Sequence, residues 1–346
     1  MNKLTKGEIM NKLNKLGVSA LCGSLAAISA ANAGDLTVTG GADMTWISQG
    51  ATNTGNPLGI GSNFGFAGSG ELDNGWSVDL SIAHTNGGAY SNASVTVGVP
   101  GVGDFLVNQG GSGTGIQRLD DITPTVWEEA DGAGLSAGIT KIMGTSAGAT
   151  IELTPSGVPD GATVRVAWSP DSDSEPASDK AAAGAGGALA SGWDITVEAG
   201  SDLTGVDGLT LYGGISQVDQ FQNATTISGD SEETVLGAKY AAGGFTVGFQ
   251  ISDDDTGNAT TNTKYENTSY SITFNVNDDL SIGYAHIESD KTSTTNVTAE
   301  ADSLQAAYTM GGATIRIAEV DVTNQSYQTT AAYDTESTIL SLGLAF

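Results

Sequence analysis

The residues with chemical potential are concentrated in one stretch. "GTGIQRLDDITPTVWEEADG" carries Arg118, Asp120, Asp121, Glu128, Glu129 and Asp131. Five carboxylates and one guanidinium so close together carry a net negative charge that attracts cations. They do not compose a catalytic set. The two histidines, His84 and His286, fall on the apolar phase of alternating segments, without a nucleophile and acid beside them. No enzyme is expected. "GGSGTG" at 110–115 mimics a nucleotide loop but has no βαβ unit around it, and reads as flexible loop. Asp253, Asp254, Asp255 and Gly257 lack calcium-loop spacing. Loose binding of Ca2+ between acidic loops stays open. No metal site and no other cofactor is expected.

The whole chain has 346 residues, a formal net charge of -28 and a pI near 4.1. Nucleic acid is therefore excluded as a partner, and anionic surfaces are poor ones. Residues 1–33 read as a cleaved signal peptide. Lys3, Lys6, Lys12 and Lys15 open it, the apolar run "LGVSALCGSLAAISA" follows, and Ala31-Asn32-Ala33 supplies the cleavage site. The one cysteine, Cys22, lies inside that leader, behind Leu21 where lipidation prefers a small residue. The remainder, 34–346, is an exported chain without cysteine. Its stability must come from size, closure or association. No later run is long and apolar enough for a membrane helix, which leaves a barrel open.

The elements that must position the acids alternate with period two. In "SYSITFNV", Tyr270, Ile272, Phe274 and Val276 share a face against Ser269, Ser271, Thr273 and Asn275. The same pattern recurs at 76–82, 95–99, 164–168 and 245–251, and predicts strands. Sixteen are expected: 35–47, 61–73, 75–86, 90–99, 103–110, 147–153, 161–169, 192–199, 207–218, 231–241, 244–252, 267–276, 279–289, 299–310, 312–321 and 334–346. Tight turns such as "DNG" 73–75, "PGVG" 100–103 and "AAGG" 241–244 alternate with long connections at 48–60, 111–146, 170–191, 219–230, 253–266, 290–298 and 322–333. Only 87–89 is short where a long loop is due. A meander with all its tight turns at one end is an all-β, transmembrane, antiparallel barrel of about sixteen strands. Its short turns then face the periplasm and its long loops the exterior. A sandwich would show similar alternation. The small, uncharged polar phase, the strand length and Trp46, Trp76, Trp168, Trp193, Tyr240 and Tyr284 near strand ends favour the barrel.

The leader, the opening strand "GDLTVTGGADMTW" at 34–46, the hairpin "GSGELDNGWSVDLSIAH" at 68–84 and the terminal "SLGLAF" resemble general diffusion porins of the Gram-negative outer membrane. The resemblance implies a homotrimer in outer-membrane lipid, with a third loop that folds into the lumen and narrows it. Here that loop is 111–146, so its six charged residues become the expected pore constriction. The implied function is passive diffusion of small hydrophilic solutes and ions. The family sets its loop acids against wall arginines, and this chain departs from that. On the inward phase stand Asp43, Glu71, Asp79, Asp194 and Glu198 against Arg165, Lys239 and Arg316. Asp43, Glu71, Asp79, Arg165, Lys239 and Arg316 are the expected lumen wall, and cation preference follows. Leu342, Leu344 and Phe346 resemble the signal read by the outer-membrane barrel assembly machinery. The alternative is an exported acidic β-rich surface protein, of adhesin or surface-layer type.

Overall fold

The computed structural model describes residues 26–28, 36–49, 56–72, 74–85, 92–109, 113–134, 136–172, 189–220 and 229–345. Sixteen strands form the body. They are β1 Leu36–Gln49, β2 Leu58–Glu71, β3 Ser77–Thr85, β4 Asn92–Val99, β5 Gly103–Asn108, β6 Thr150–Pro155, β7 Ala162–Ser169 and β8 Leu189–Ala199. The second half comprises β9 Leu209–Gln220, β10 Ser231–Ala242, β11 Phe245–Asp255, β12 Lys264–Asn275, β13 Leu280–Thr292, β14 Val297–Met310, β15 Ala313–Thr323 and β16 Thr335–Ala345. Each pairs antiparallel with its neighbours in sequence, and β16 pairs back onto β1, with Leu340 opposite Trp46 and Gly343 opposite Asp43. The sheet is a closed barrel. A further short piece, Ala26–Ile28, lies antiparallel on the start of β1. Phe346, most of the expected signal peptide 1–33, and 173–188 of the expected long connection 170–191 lie outside the described residues.

The polarity is inverted relative to a soluble protein. Outward positions carry Ile60, Phe66, Trp168, Trp193, Phe249, Ile272, Ile317 and Leu340, all exposed. Inward positions bury Asp194, Thr196, Gln250, Ser271, Gln305 and Arg316. In lipid this is the stable arrangement, because apolar side chains meet hydrocarbon and every strand finds a partner for its backbone groups. His84 stacks on Phe64 on the outer face, and His286 stacks on Tyr270 while touching Asp302 at 2.8 Å. Leu342 and Leu344 share the outward phase with Leu340.

Two features differ from the alternation rule. First, strands run beyond the expected ends. Asp253–Asp255, expected in a loop, complete β11, because pairing continues through Asp253 opposite Glu266 and an ion pair between Lys264 and Asp255. Second, the inner wall is not uniformly polar. In "ATIRIAEVDVT" the outward residues change from Ile315 and Ile317 to Glu319 and Asp321, while the inward ones change from Thr314 and Arg316 to Ala318, Val320 and Val322. β13 makes the same exchange, with Ile282 and Tyr284 followed outward by Glu288 and Asp290, and with Ala285 and Ile287 inward. The apolar band therefore ends inside the strands. Above it the outer face is acidic and the inner face is greasy.

This boundary can be measured. Ile317 lies in the band beside Ala306 and Leu340. Ile317→Lys is expected to cost about 2–4 kcal/mol in equilibrium unfolding from phospholipid bilayers, and Glu319→Lys about 0–1 kcal/mol. Equal costs would place the boundary elsewhere.

Candidate functional site: an inner loop held by the wall

The connection between β5 and β6 folds against the inward face of the strands that follow it. Its roots are two short 3-10 turns, Gly115–Leu119 and Gly144–Ala147. Three wall carboxylates hold them. Glu152 accepts the Gly115 N–H at 2.7 Å and the Arg118 guanidinium at 2.7 Å. Asp194 accepts the Ile116 N–H at 3.1 Å, the Thr145 N–H at 3.2 Å and the Thr145 hydroxyl at 2.8 Å. Glu233 accepts the Met143 N–H at 3.0 Å and the Gly144 N–H at 2.7 Å. The two glycines are required here. Both have positive φ, and a Cβ on Gly115 or Gly144 would stand 1.7 Å or 2.7 Å from the Asp194 carboxylate. Ile116, Leu119 and Ile142, fully buried, pack with Tyr212 and Val235 behind these turns.

Further along, two wall glutamines carry the loop's backbone. Gln250 donates to the Asp120 carbonyl at 3.1 Å and accepts from the Tyr212 hydroxyl at 2.8 Å. Gln305 accepts the Trp127 N–H at 2.9 Å and donates to the Glu128 carbonyl at 2.6 Å. The far limb is apolar. Ala130, Ala133 and Ala137 lie on Ala285, Ile287, Ala301, Ala318, Val320, Val322 and Ile339, the greasy inner patch left by the phase exchange. Burying small apolar side chains on both sides needs no desolvation of charge.

The six expected constriction residues do not form one row. Arg118 turns to Glu152, under the loop. Asp120, Glu129 and Asp131 gather around Lys141, whose Nζ lies 3.9 Å from Asp120 and 3.6 Å from Asp131 and contacts Glu129 most closely. Asp121 and Glu128 are exposed. Burial pushes Asp120 up to about 7 against the pull of Lys141, and pushes Glu129 up to about 8 for the same reasons. Partial desolvation where Glu128 lies along the loop raises its carboxyl, against the attraction of Arg316. For Lys141, burial opposes its charge, but Glu129 and Asp131 outweigh it and keep the ammonium protonated above its ordinary range.

On the wall, Arg316 donates to Asp43 at 2.8 Å, and the Trp127 ring of the loop lies 5.7 Å from its guanidinium. Ser341 also donates to Asp43, across the β16–β1 seam. Arg165 pairs with Glu198. Asp79 lies opposite Ser69 and Thr96 on the inward phase, with Glu71 next to it on that phase. Lys239 lies opposite Gly248, nearer the short-turn end. Lys141, Glu152, Glu233, Gln250 and Gln305 were not singled out by the sequence. For the four wall residues the available signal was a long polar side chain on an inward phase built mostly of small residues; Lys141, in the loop, had none. Among the described residues no group of three His, Cys, Asp or Glu is arranged to hold a metal ion.

A closed barrel that is apolar outside and polar within, carrying a long loop against its inner wall, is a membrane-spanning channel scaffold. Residues 17–343 match the family model of the Gram-negative porins, and the chain belongs to that family. Its location is the outer membrane, and it is an outer-membrane channel. Solved structures with the same fold include OmpF of Salmonella typhi in complex with daunomycin, at 12% identity, with a TM-score of 0.67 over 93% of this chain and 100% of that one. An anion-selective porin from Comamonas acidovorans matches at 12% identity, with a TM-score of 0.64 over 90% of this chain and 99% of that one. OmpT of Vibrio cholerae matches at 11% identity, with a TM-score of 0.61 over 92% of this chain and 100% of that one. No curated sequence relative matches. The adhesin or surface-layer alternative is set aside by the family match.

The root clamp is testable. Asp194→Ala leaves three buried donors without a partner, at a cost of about 1–3 kcal/mol. Limited proteolysis in detergent is expected to cut 113–146 in this variant and to spare it in the unaltered protein.

Proposed function

We propose that the chain forms a water-filled channel for passive diffusion of small hydrophilic solutes and ions, that it prefers cations, and that 111–146 is its constriction. One observation carries the preference. No lysine or arginine occurs from 34 through 117, the stretch that supplies the wall of β1 to β5. That wall offers Asp43, Glu71 and Asp79 among Ser, Thr, Asn and Gly. The one guanidinium that reaches it, Arg316, is occupied by Asp43. On the loop, Asp121 and Glu128 are exposed. A passage with carboxylates on its wall and on its inner loop enriches cations by focusing the field. The Comamonas relative is described as anion-selective, so the fold itself does not decide the sign. The side chains must. Diffusion through such a passage needs no cofactor and no covalent step. The working unit is a homotrimer in outer-membrane lipid, inserted by the barrel assembly machinery through a C-terminal signal that includes Leu342, Leu344 and Phe346.

Planar-bilayer recording tests the channel: stable conductance steps are expected, and their absence would sink the proposal. Asp121→Asn with Glu128→Gln is expected to lower the potassium-to-chloride permeability ratio several-fold, since a charge at 4 Å is worth about 1 kcal/mol in water. An unchanged ratio would remove these two residues from the filter.

Acidity supplies a second test. Asp120 and Glu129 ionise in the folded loop near 7 and 8, above their ordinary 3.8 and 4.5. Folding thus favours their protonated forms, and the loop's hold weakens as pH climbs from those ordinary values to the raised ones. Negative charge is added to the folded loop around the raised values. The permeability ratio for cations is expected to rise between about pH 6 and 9. A ratio that stays flat, or falls, contradicts the assignment.

A further inference from the structure

The last long loop, between β15 and β16, turns into the mouth of the barrel and grips the inner loop. Three of its residues have left-handed backbone: Asn324 at φ 54, Ser326 at φ 54 and Tyr327 at φ 58. None is glycine, and for a bulky Tyr this conformation is strained. Such strain persists only where the surroundings enforce it. Here they do. The Asn324 side chain donates to the Thr298 carbonyl at 2.8 Å, and its N–H reaches Asp334 at 3.0 Å. Tyr327 is buried, with its ring 5.2 Å from that of Tyr265 and the Lys291 ammonium above both.

What the turn holds is one limb of the inner loop. The Ser326 N–H donates to the Ala137 carbonyl at 2.9 Å. The Gln325 side chain donates to the Ser136 carbonyl at 2.6 Å. The Tyr327 hydroxyl accepts the Thr140 N–H at 2.9 Å and shares a hydrogen bond of 2.8 Å with Ser289 on the wall. Gly138 fits only because it lacks a side chain: a Cβ there would stand 2.2 Å from the Ser326 hydroxyl. Three successive residues of a strained turn on a different loop thus bond the backbone of 136, 137 and 140.

We propose that 324–327 is a latch at the mouth, and that Tyr327 is a positioning residue for the channel. Its hydroxyl ties 136–140 to the wall and so fixes the open cross-section beside the inner loop. The strained backbone makes the latch releasable, so a change at the mouth is transmitted to the narrowest part of the passage. The proposal rests on the reading of 111–146 as the constriction.

Two measurements on purified trimer or monomer in detergent separate the readings. The first is amide hydrogen exchange across 136–140, which needs no conductance. Tyr327→Phe removes the acceptor of the Thr140 N–H and leaves the ring, and is expected to speed exchange roughly tenfold. Ser326→Pro, which deletes the donor to Ala137 and cannot adopt the left-handed φ of the turn, is expected to speed it further. Ser326→Gly keeps that donor and relieves strain, and is expected to slow exchange or leave it unchanged. The second is single-channel recording, in which Tyr327→Phe is expected to show larger current fluctuations or a shifted unitary conductance. Unchanged exchange in both Tyr327→Phe and Ser326→Pro overturns the latch. Faster exchange with unaltered currents overturns its role in the passage. If the unaltered protein gives no conductance at all, the channel reading fails, while the exchange data still judge the latch. Tyr327→Phe carries the test should Ser326→Pro not fold.

Discussion

A strand in hydrocarbon has no water to bind its amides, so each must find another strand. That constraint dictates closure, and closure makes the β1–β16 seam indispensable. The seam is built from opposite requirements on its two faces. Outside, Leu340 and Trp46 meet lipid side by side. Inside, Gly343 leaves room for the Arg316–Asp43 pair, since a Cβ there would stand 2.7 Å from the Asp43 carboxylate. One small residue thus lets the ring close and lets a charge pair span the junction.

Within the ring a second problem arises. A loop laid on the inner wall must satisfy its own backbone without strands to pair with. The wall answers with side chains. Glu152, Asp194 and Glu233 accept N–H groups at the roots, and Gln250 and Gln305 exchange donors and acceptors in the middle. The mouth turn takes the carbonyls of Ser136 and Ala137. Charge-assisted hydrogen bonds are placed where the loop departs from and rejoins the wall, and neutral ones where it crosses. Between them, Lys141 gathers three carboxylates, so much of the loop's acidity is spent internally and only Asp121 and Glu128 remain exposed.

The fold was legible because lipid imposes a simple code. All sixteen strands were readable from outward apolar residues at every second position, and the alternation of "DNG"-like turns with long connections gave the antiparallel order. The ends were less legible. "EVDVT" keeps perfect alternation while its faces exchange roles, and a period-two rule is blind to which face is which. The site was legible only as composition. Arg118, Asp120, Asp121, Glu128, Glu129 and Asp131 are contiguous in sequence, yet Arg118 is spent on Glu152 and three of the acids on Lys141. Those pairings depend on how a loop curls in space, which no spacing along the chain encodes. Glu233 and Gln305 were harder still. Each is one of several polar residues on its strand, and its partner lies far away in sequence.

The distances along the chain between these partners set an order of events. Asp194 and Ile116 are 78 residues apart, Gln305 and Trp127 are 178 apart, and Gln325 and Ser136 are 189 apart. Contacts so remote in sequence form slowly, because the entropy of closing the chain must be spent first. The loop's roots find Glu152 and Asp194 within the first half of the barrel, but its middle needs Gln250 and Gln305 from the second half. The full set of contacts that seats the loop therefore spans both halves of the barrel, and it is complete only when strands of the second half are in place.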